Sequence, residues 1–192
     1  MDCETRARPR DAAATRDSIL DAARDQFAQR SYEDVSLRAI ARGAGIDVAL
    51  IARYFGSKEE LFADALEACE VGPDLFSGPR ETFGQRMAEQ IVFEPKSGGK
   101  LQGTQIMLNS LGSAKAAEIV QNSANTQFFR PFATWLGGED AHIRTRLLAG
   151  LMMGMGVSRE LAGGYGLTEA DGMRLRDRLA GILQAVVDET AA

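Results

Sequence analysis

The chain is poor in the residues that build metal and redox sites: it has one histidine, His142, and two cysteines, Cys3 and Cys69, in no metal-ligand spacing. Structural zinc takes four Cys or His ligands in paired spacings, so neither a metal nor a cofactor is expected. The two thiols are read as reduced intracellular cysteines, with a disulphide or a redox sensor as the other reading. Long apolar runs are missing too. The longest, residues 147–157, falls far short of the roughly 20 residues that span a bilayer. Residues 1–10 are polar and charged, unlike a secretory signal. The expected setting is cytoplasmic, without a membrane. A strong excess of one charge is also lacking. Residues 1–58 hold 10 basic and 9 acidic side chains, while the remainder holds 12 and 18. The first third is therefore the part suited to meet a polyanion, yet its balance is so close to neutral that charge by itself does not point to DNA.

What the chain does have is hydrophobic content, 45% over 192 residues, enough for one generous domain or two small ones. Its apolar residues recur with the helical period, and no alternating run argues for a strand, so the fold class is all-α. Over residues 15–29, Ile19, Ala23 and Phe27 line one face of a first helix. Ser36 precedes the stripe Leu37, Ile40, Ala41 and Ala44, and a serine there caps a second helix. Gly45 tolerates positive φ, and Asp47 caps a third helix whose stripe Val48, Ile51, Ala52 and Phe55 is expected to face the core. After Gly56, Ser57 with Glu60 three residues on forms a capping box for a fourth helix. The segment 72–80, with Pro73, Gly78 and Pro79, breaks the pattern. The expected layout is a disordered arm at 1–9, a helix-turn-helix domain at 10–70 and a helical bundle at 71–192. In the bundle, residues 95–100 read as a loop, a short helix holds Ile106 to Leu111, and Pro131 kinks or splits a stretch from Ile119 to Trp135. Two long helices close the chain, the first from about residue 140 to 161 and the second capped by Thr168.

Ala41, Gly45 and Ile51, spaced four and six apart, meet the needs of a helix-turn-helix: a small residue for close packing, a turn and an inner anchor. Helical hairpins that bind no DNA share such spacing. The stretches RDSILDAARDQF and SLRAIARGAGIDVALIARYFGSKEELF, with the YF-x-SKEEL signature, resemble the TetR family of bacterial regulators over residues 10–66. The resemblance implies that the third helix lies in the major groove, that the following lysine touches phosphate, and that the last two helices of each subunit form a four-helix homodimer interface. With Val48, Ile51, Ala52 and Phe55 inward, Ala49, Leu50 and Arg53 are left facing base edges. Arg53 is the first candidate for base readout, since its fork can bridge guanine O6 and N7; a phosphate contact or a solvated charge is the plainer alternative. Ala49 and Leu50 suit thymine methyls, or are simply small enough to let the helix approach. Tyr54 and Lys58 match family phosphate-contacting positions, and Ser36, Arg38 and Arg16 are further backbone candidates. Two departures stand out: Ala52 replaces a tyrosine common in the family, and Ser31 stands where a glycine usually ends the first helix.

The resemblance also implies a sensor in the second half, where Phe83, Met87 and Met107, with Phe128, Phe132, Trp135 and Met152, are candidates to line a pocket for an unknown small hydrophobic effector. An ordinary core is the alternative for such a stripe. Gly150 and Gly154 cost helix propensity, each about 1 kcal/mol relative to Ala, which close approach of another helix would offset. With Leu147 and Leu151 on that helix, and Leu179, Ile182, Leu183 and Val186 on the last one, they are the expected dimer interface. The function implied is a DNA-binding, ligand-responsive repressor of an operator in double-stranded DNA. A constitutive DNA-binding regulator and a small helical enzyme are the alternatives. For the enzyme, residues 97–100 have the glycines and lysine of a phosphate loop without its full spacing or a preceding strand, and no catalytic constellation stands out.

Overall fold

The computed structural model describes residues 9–69, 75–93 and 98–189. Within them the chain forms ten α-helices and no strand: α1 (Pro9–Gln29), α2 (Leu37–Gly43), α3 (Val48–Phe55), α4 (Lys58–Glu67), α5 (Phe83–Val92), α6 (Gly98–Asn109), α7 (Ala114–Ala124), α8 (Arg130–Leu136), α9 (Ala141–Leu161) and α10 (Glu169–Asp188). The all-α expectation holds. Of the proposed N-terminal arm, residues 1–8 lie outside the described residues, as does Cys3. Pro9 already opens α1, where a missing N–H costs nothing, and the alanines at 12–14 favour helix well before residue 15.

Packing divides the chain into two compact units, each discontinuous in sequence. One comprises Met1–Glu70 with Gly98–Ser123. Its core is Ile19, Ala23 and Phe27 of α1, Ile40 of α2, Ile51 and Phe55 of α3, and Leu61 and Phe62 of α4, closed by Tyr32. The Phe62 ring meets Phe27 at 4.8 Å and Tyr32 at 5.0 Å, both edge-on, the arrangement aromatic quadrupoles favour. From α6 and α7, Ile106 and Ala116 enter the same core. Polar pins hold α6 to α1: Asn109 Nδ2 donates to the Ala28 carbonyl (2.7 Å) and Gln102 Nε2 to Asp25 (2.7 Å).

Of the loop expected at 95–100, residues 95–97 lie outside the described residues and 98–100 already belong to α6. Glycines at 98, 99 and 103 argue locally against a helix. Packing overrides them, since Gly103 is buried where an added Cβ would sit 3.1 Å from Cys69 Cβ.

The second unit, Val71–Ser97 with Ala124–Ala192, packs α5, α8, α9 and α10 around Phe83, Met87, Phe132, Leu148, Leu183 and Val187. Ahead of Pro131 the helix widens into a π-turn at Asn125–Phe129, a way to carry helical backbone up to a residue without an N–H. Two arginines bind the carbonyls that helix ends leave free: Arg80 donates to Leu136 O and Val187 O (both 2.8 Å), and buried Arg144 donates to Gly137 O and Val187 O.

Candidate nucleic-acid interface

The helix-turn-helix is assembled from local signals. Ser36 caps α2, its Oγ accepting from Ala39 N at 3.2 Å, and Asp47 caps α3, its carboxylate accepting from Ala49 N at 2.8 Å. Between them Gly45 takes φ 68°, a left-handed turn that side chains disfavour. Ile46 N then bonds Ala41 O at 3.0 Å, so the chain reverses tightly from α2 into α3. At the far end Ser57 and Glu60 form the reciprocal capping box that starts α4. Ile51 and Phe55 hold α3 to the core; Leu50 and Tyr54 are half-buried beside them.

The outward face of α3 is Val48, Ala49, Ala52 and Arg53. This corrects the expected orientation at three positions, because Val48 (38% exposed) and Ala52 face solvent and not the core, and Leu50, expected to face outward, is half-buried. An eight-residue helix docked along one edge buries a narrower sector than the four-residue stripe implied. Arg53 and Arg38 are exposed and make no ion pair among the described residues. So is Arg42, which the sequence reading passed over; its place four residues after Arg38 puts both on one face of α2. Arg16 is already engaged, paired with Asp64 at 2.6 Å and lying over the Phe55 ring at 5.0 Å.

Lys58 lies folded against the protein. Its Nζ donates to the Tyr32 carbonyl (2.6 Å) and sits 4.3 Å from the centroid of the Tyr32 ring. Burial lowers the ammonium's pKa, opposed by Glu33, Glu59 and Asp34 nearby. Burial, with Glu59 beside it, pushes the Tyr32 phenol far above its ordinary value. Glu59 itself is held down to about 2, first by its hydrogen bond from Lys115, 2.5 Å away on α7. Ser113 just before α7 donates to Glu33 at 2.6 Å. Lys58, just after α3, thus sits in a small charged network that also holds the start of α7.

The other candidates divide between the units. Phe83, Met87 and Phe132 are buried in the core of the second unit, and Phe128, Trp135 and Met152 are half-buried against it. Met107 does not join them: it lies on α6, which packs on α1 in the other unit. Along α9, Leu147 (52% exposed), Gly150 and Gly154 face outward, and among the described residues no other group would touch a Cβ at either glycine. Ile143 and Met153 extend that face, and Gly181 and Ile182 (53%) open outward on α10. Leu151 and Val186 are half-buried, whereas Leu179 and Leu183 point into the unit's own core and are no part of an outer face. Their i, i+4 spacing puts both on one side of α10, and their burial makes that side the inner one.

The family model described as "Bacterial regulatory proteins, tetR family" matches residues 19–65, and "Tetracyclin repressor-like, C-terminal domain" matches 81–187. No curated protein matches the chain in sequence. Among solved structures, a TetR-family regulator from Streptomyces coelicolor is 27% identical, with TM-score 0.56 over 95% of this chain and 99% of its own. NalD of Pseudomonas aeruginosa, a secondary repressor of the MexAB-OprM multidrug efflux pump, is 20% identical with TM-score 0.67, covering 88% of this chain and 96% of its own. Among the described residues no helix is long and apolar enough to cross a membrane.

Proposed function

The chain belongs to the TetR family of bacterial regulatory proteins, DNA-binding transcriptional regulators, and from that premise we propose that it is a repressor released from its operator by a small hydrophobic molecule. The observation that carries the DNA-reading half is the capped, core-anchored α3, with Arg53 on its outer face and Arg38 and Arg42 exposed on α2 without an ion pair among the described residues. Arg53 reads a base edge, Ala49 and Leu50 set how closely the helix approaches, and Arg38, Ser36, Tyr54 and Lys58 fix register on phosphate. A near-neutral reading domain makes few phosphate contacts, so affinity depends on pairing two copies on successive half-sites. The apolar, glycine-bearing outer face of α9 with Ile182 of α10 supports that homodimer.

Effector control requires a ligand that prefers one arrangement of the two reading heads over another. The aromatic and methionine side chains around Phe132 are the proposed ligand-contacting set, and NalD's description as repressor of a multidrug efflux pump is in keeping with a hydrophobic effector. A constitutive regulator is the second reading, favoured by the complete burial of Phe83 and Phe132 as ordinary core. Selection of bound fragments from genomic DNA, followed by gel-shift titration against a panel of hydrophobic compounds, separates the two. A compound that lowers operator affinity supports the sensor. Unchanged affinity across the panel leaves the constitutive reading, and failure to enrich any fragment overturns both.

A further inference from the structure

We infer that the row Val48 and Ala52 on α3 reads thymine methyl groups, so that this protein's half-site is specified by thymine beside a single guanine contact. The inference rests on α3 being the helix that enters the groove. At 100° per residue, the four exposed side chains of α3 fall on one arc of roughly 140° in the order Val48, Ala52, Ala49, Arg53. Ile51 and Phe55, buried in the core, flank the Val48 edge of this arc. Three of the four outward groups carry no hydrogen-bonding atom, so over most of its face α3 offers base edges only methyl surface. The one donor, Arg53, stands at the edge of the arc. Helical side chains lean toward the N-terminus, which directs Arg53 toward the turn that holds Ala49.

Of the groups displayed in the major groove, only the thymine C5-methyl is a match for such a surface; guanine, adenine and cytosine present donors and acceptors that Val48 and Ala52 cannot satisfy. Val48 keeps 38% of its surface exposed in the protein itself, and a β-branched residue is a mediocre helix former. Arg53 on the same helix, and Arg38 and Arg42 on α2, are exposed and without ion pairs among the described residues, and make a polyanion the complementary partner.

The test uses the full chain. Selection from random duplexes defines a consensus, and each thymine is then replaced by deoxyuridine, which deletes the methyl and keeps the pairing. Loss of one buried methyl contact predicts a weakening of about fourfold per half-site, and about sixteenfold with both half-sites substituted. The effect should be confined to one or two positions and should vanish in Val48→Ser, whose unchanged circular-dichroism melting shows that it is folded. Specific binding that tolerates deoxyuridine at every position overturns the methyl readout while leaving DNA recognition intact. If no sequence is enriched, α3 is not a reading helix and the inference falls with that premise.

Discussion

Replacing Lys58 by Met separates two roles that its geometry combines. The ammonium has three donor hydrogens, one of which is spent on the Tyr32 carbonyl at 2.6 Å. The other two are available to a phosphate. Methionine keeps an apolar stem against the Tyr32 ring and deletes only the charge. Each lysine–phosphate contact contributes about 0.9 to the slope of log affinity against log salt. Two subunits therefore put about 1.8 at stake. Between 50 and 200 mM salt, a wild-type complex should lose about twelvefold more affinity than the Lys58→Met complex, since fourfold in salt raised to the power 1.8 is about twelve. Fluorescence anisotropy of a labelled operator over that range measures it. The lost bond to the carbonyl and the lost cation–π contact should also cost about 1–2 kcal/mol of folding stability, read by urea unfolding. If stability falls and the salt slope does not change, the ammonium is a strut for the Tyr32 turn and no phosphate anchor.

Gly84→Ala should destabilise the second unit by about 1–3 kcal/mol, because its Cβ would lie 2.3 Å from the backbone oxygen of Ala180 and 2.9 Å from Gln184 N; a change in urea midpoint worth under 0.5 kcal/mol would show that α5 and α10 separate readily. Leu147→Glu places a charge on the exposed face of α9 and should shift sedimentation to that of a single chain without altering the helical circular dichroism; an unchanged dimer would exclude this face. Glu59, held at about 2 from an ordinary 4.5, stabilises the fold above its unfolded value and loses that contribution as pH falls from 4.5 toward 2. The contribution should stay below about 1 kcal/mol for so exposed a pair, and Lys115→Met should abolish most of this acid sensitivity; equal sensitivity in both proteins would mean that other carboxylates carry it.

Caps were the most legible features because they are local. Ser36, Asp47 and the Ser57 and Glu60 pair each act within three residues, so sequence alone places the starts of α2, α3 and α4. Partnerships across the chain were not legible. Nothing near residue 107 announces that α6 will pack on α1, and the three glycines of α6 argue against a helix at all; the contacts that hold it, Asn109 with Ala28 and Gln102 with Asp25, join residues more than 75 apart. Met107 shares with the pocket side chains only its residue type, which carries no such information. Leu179 and Leu183 were grouped with the dimer face for a similar reason, since an apolar residue on a terminal helix serves an inner or an outer side equally well until the neighbouring helix is known.

The orientation of α3 shows when an apolar stripe overstates a core. Val48, Ile51, Ala52 and Phe55 fit the i, i+3, i+4, i+7 template, yet only Ile51 and Phe55 are buried. The template assumes that the receiving surface is as wide as the stripe. Here the receiving surface is the narrow edge offered by α1, α2 and α4, and half the stripe overhangs it. In a helix placed only for packing, that overhang gains nothing from folding and leaves apolar surface in water. In a helix placed to meet a ligand with its own methyl groups, the overhang is the contact surface. On α3 the excess of stripe over burial is Val48 and Ala52, and the thymine-methyl readout proposed for them is what would turn a packing assignment into a specificity assignment.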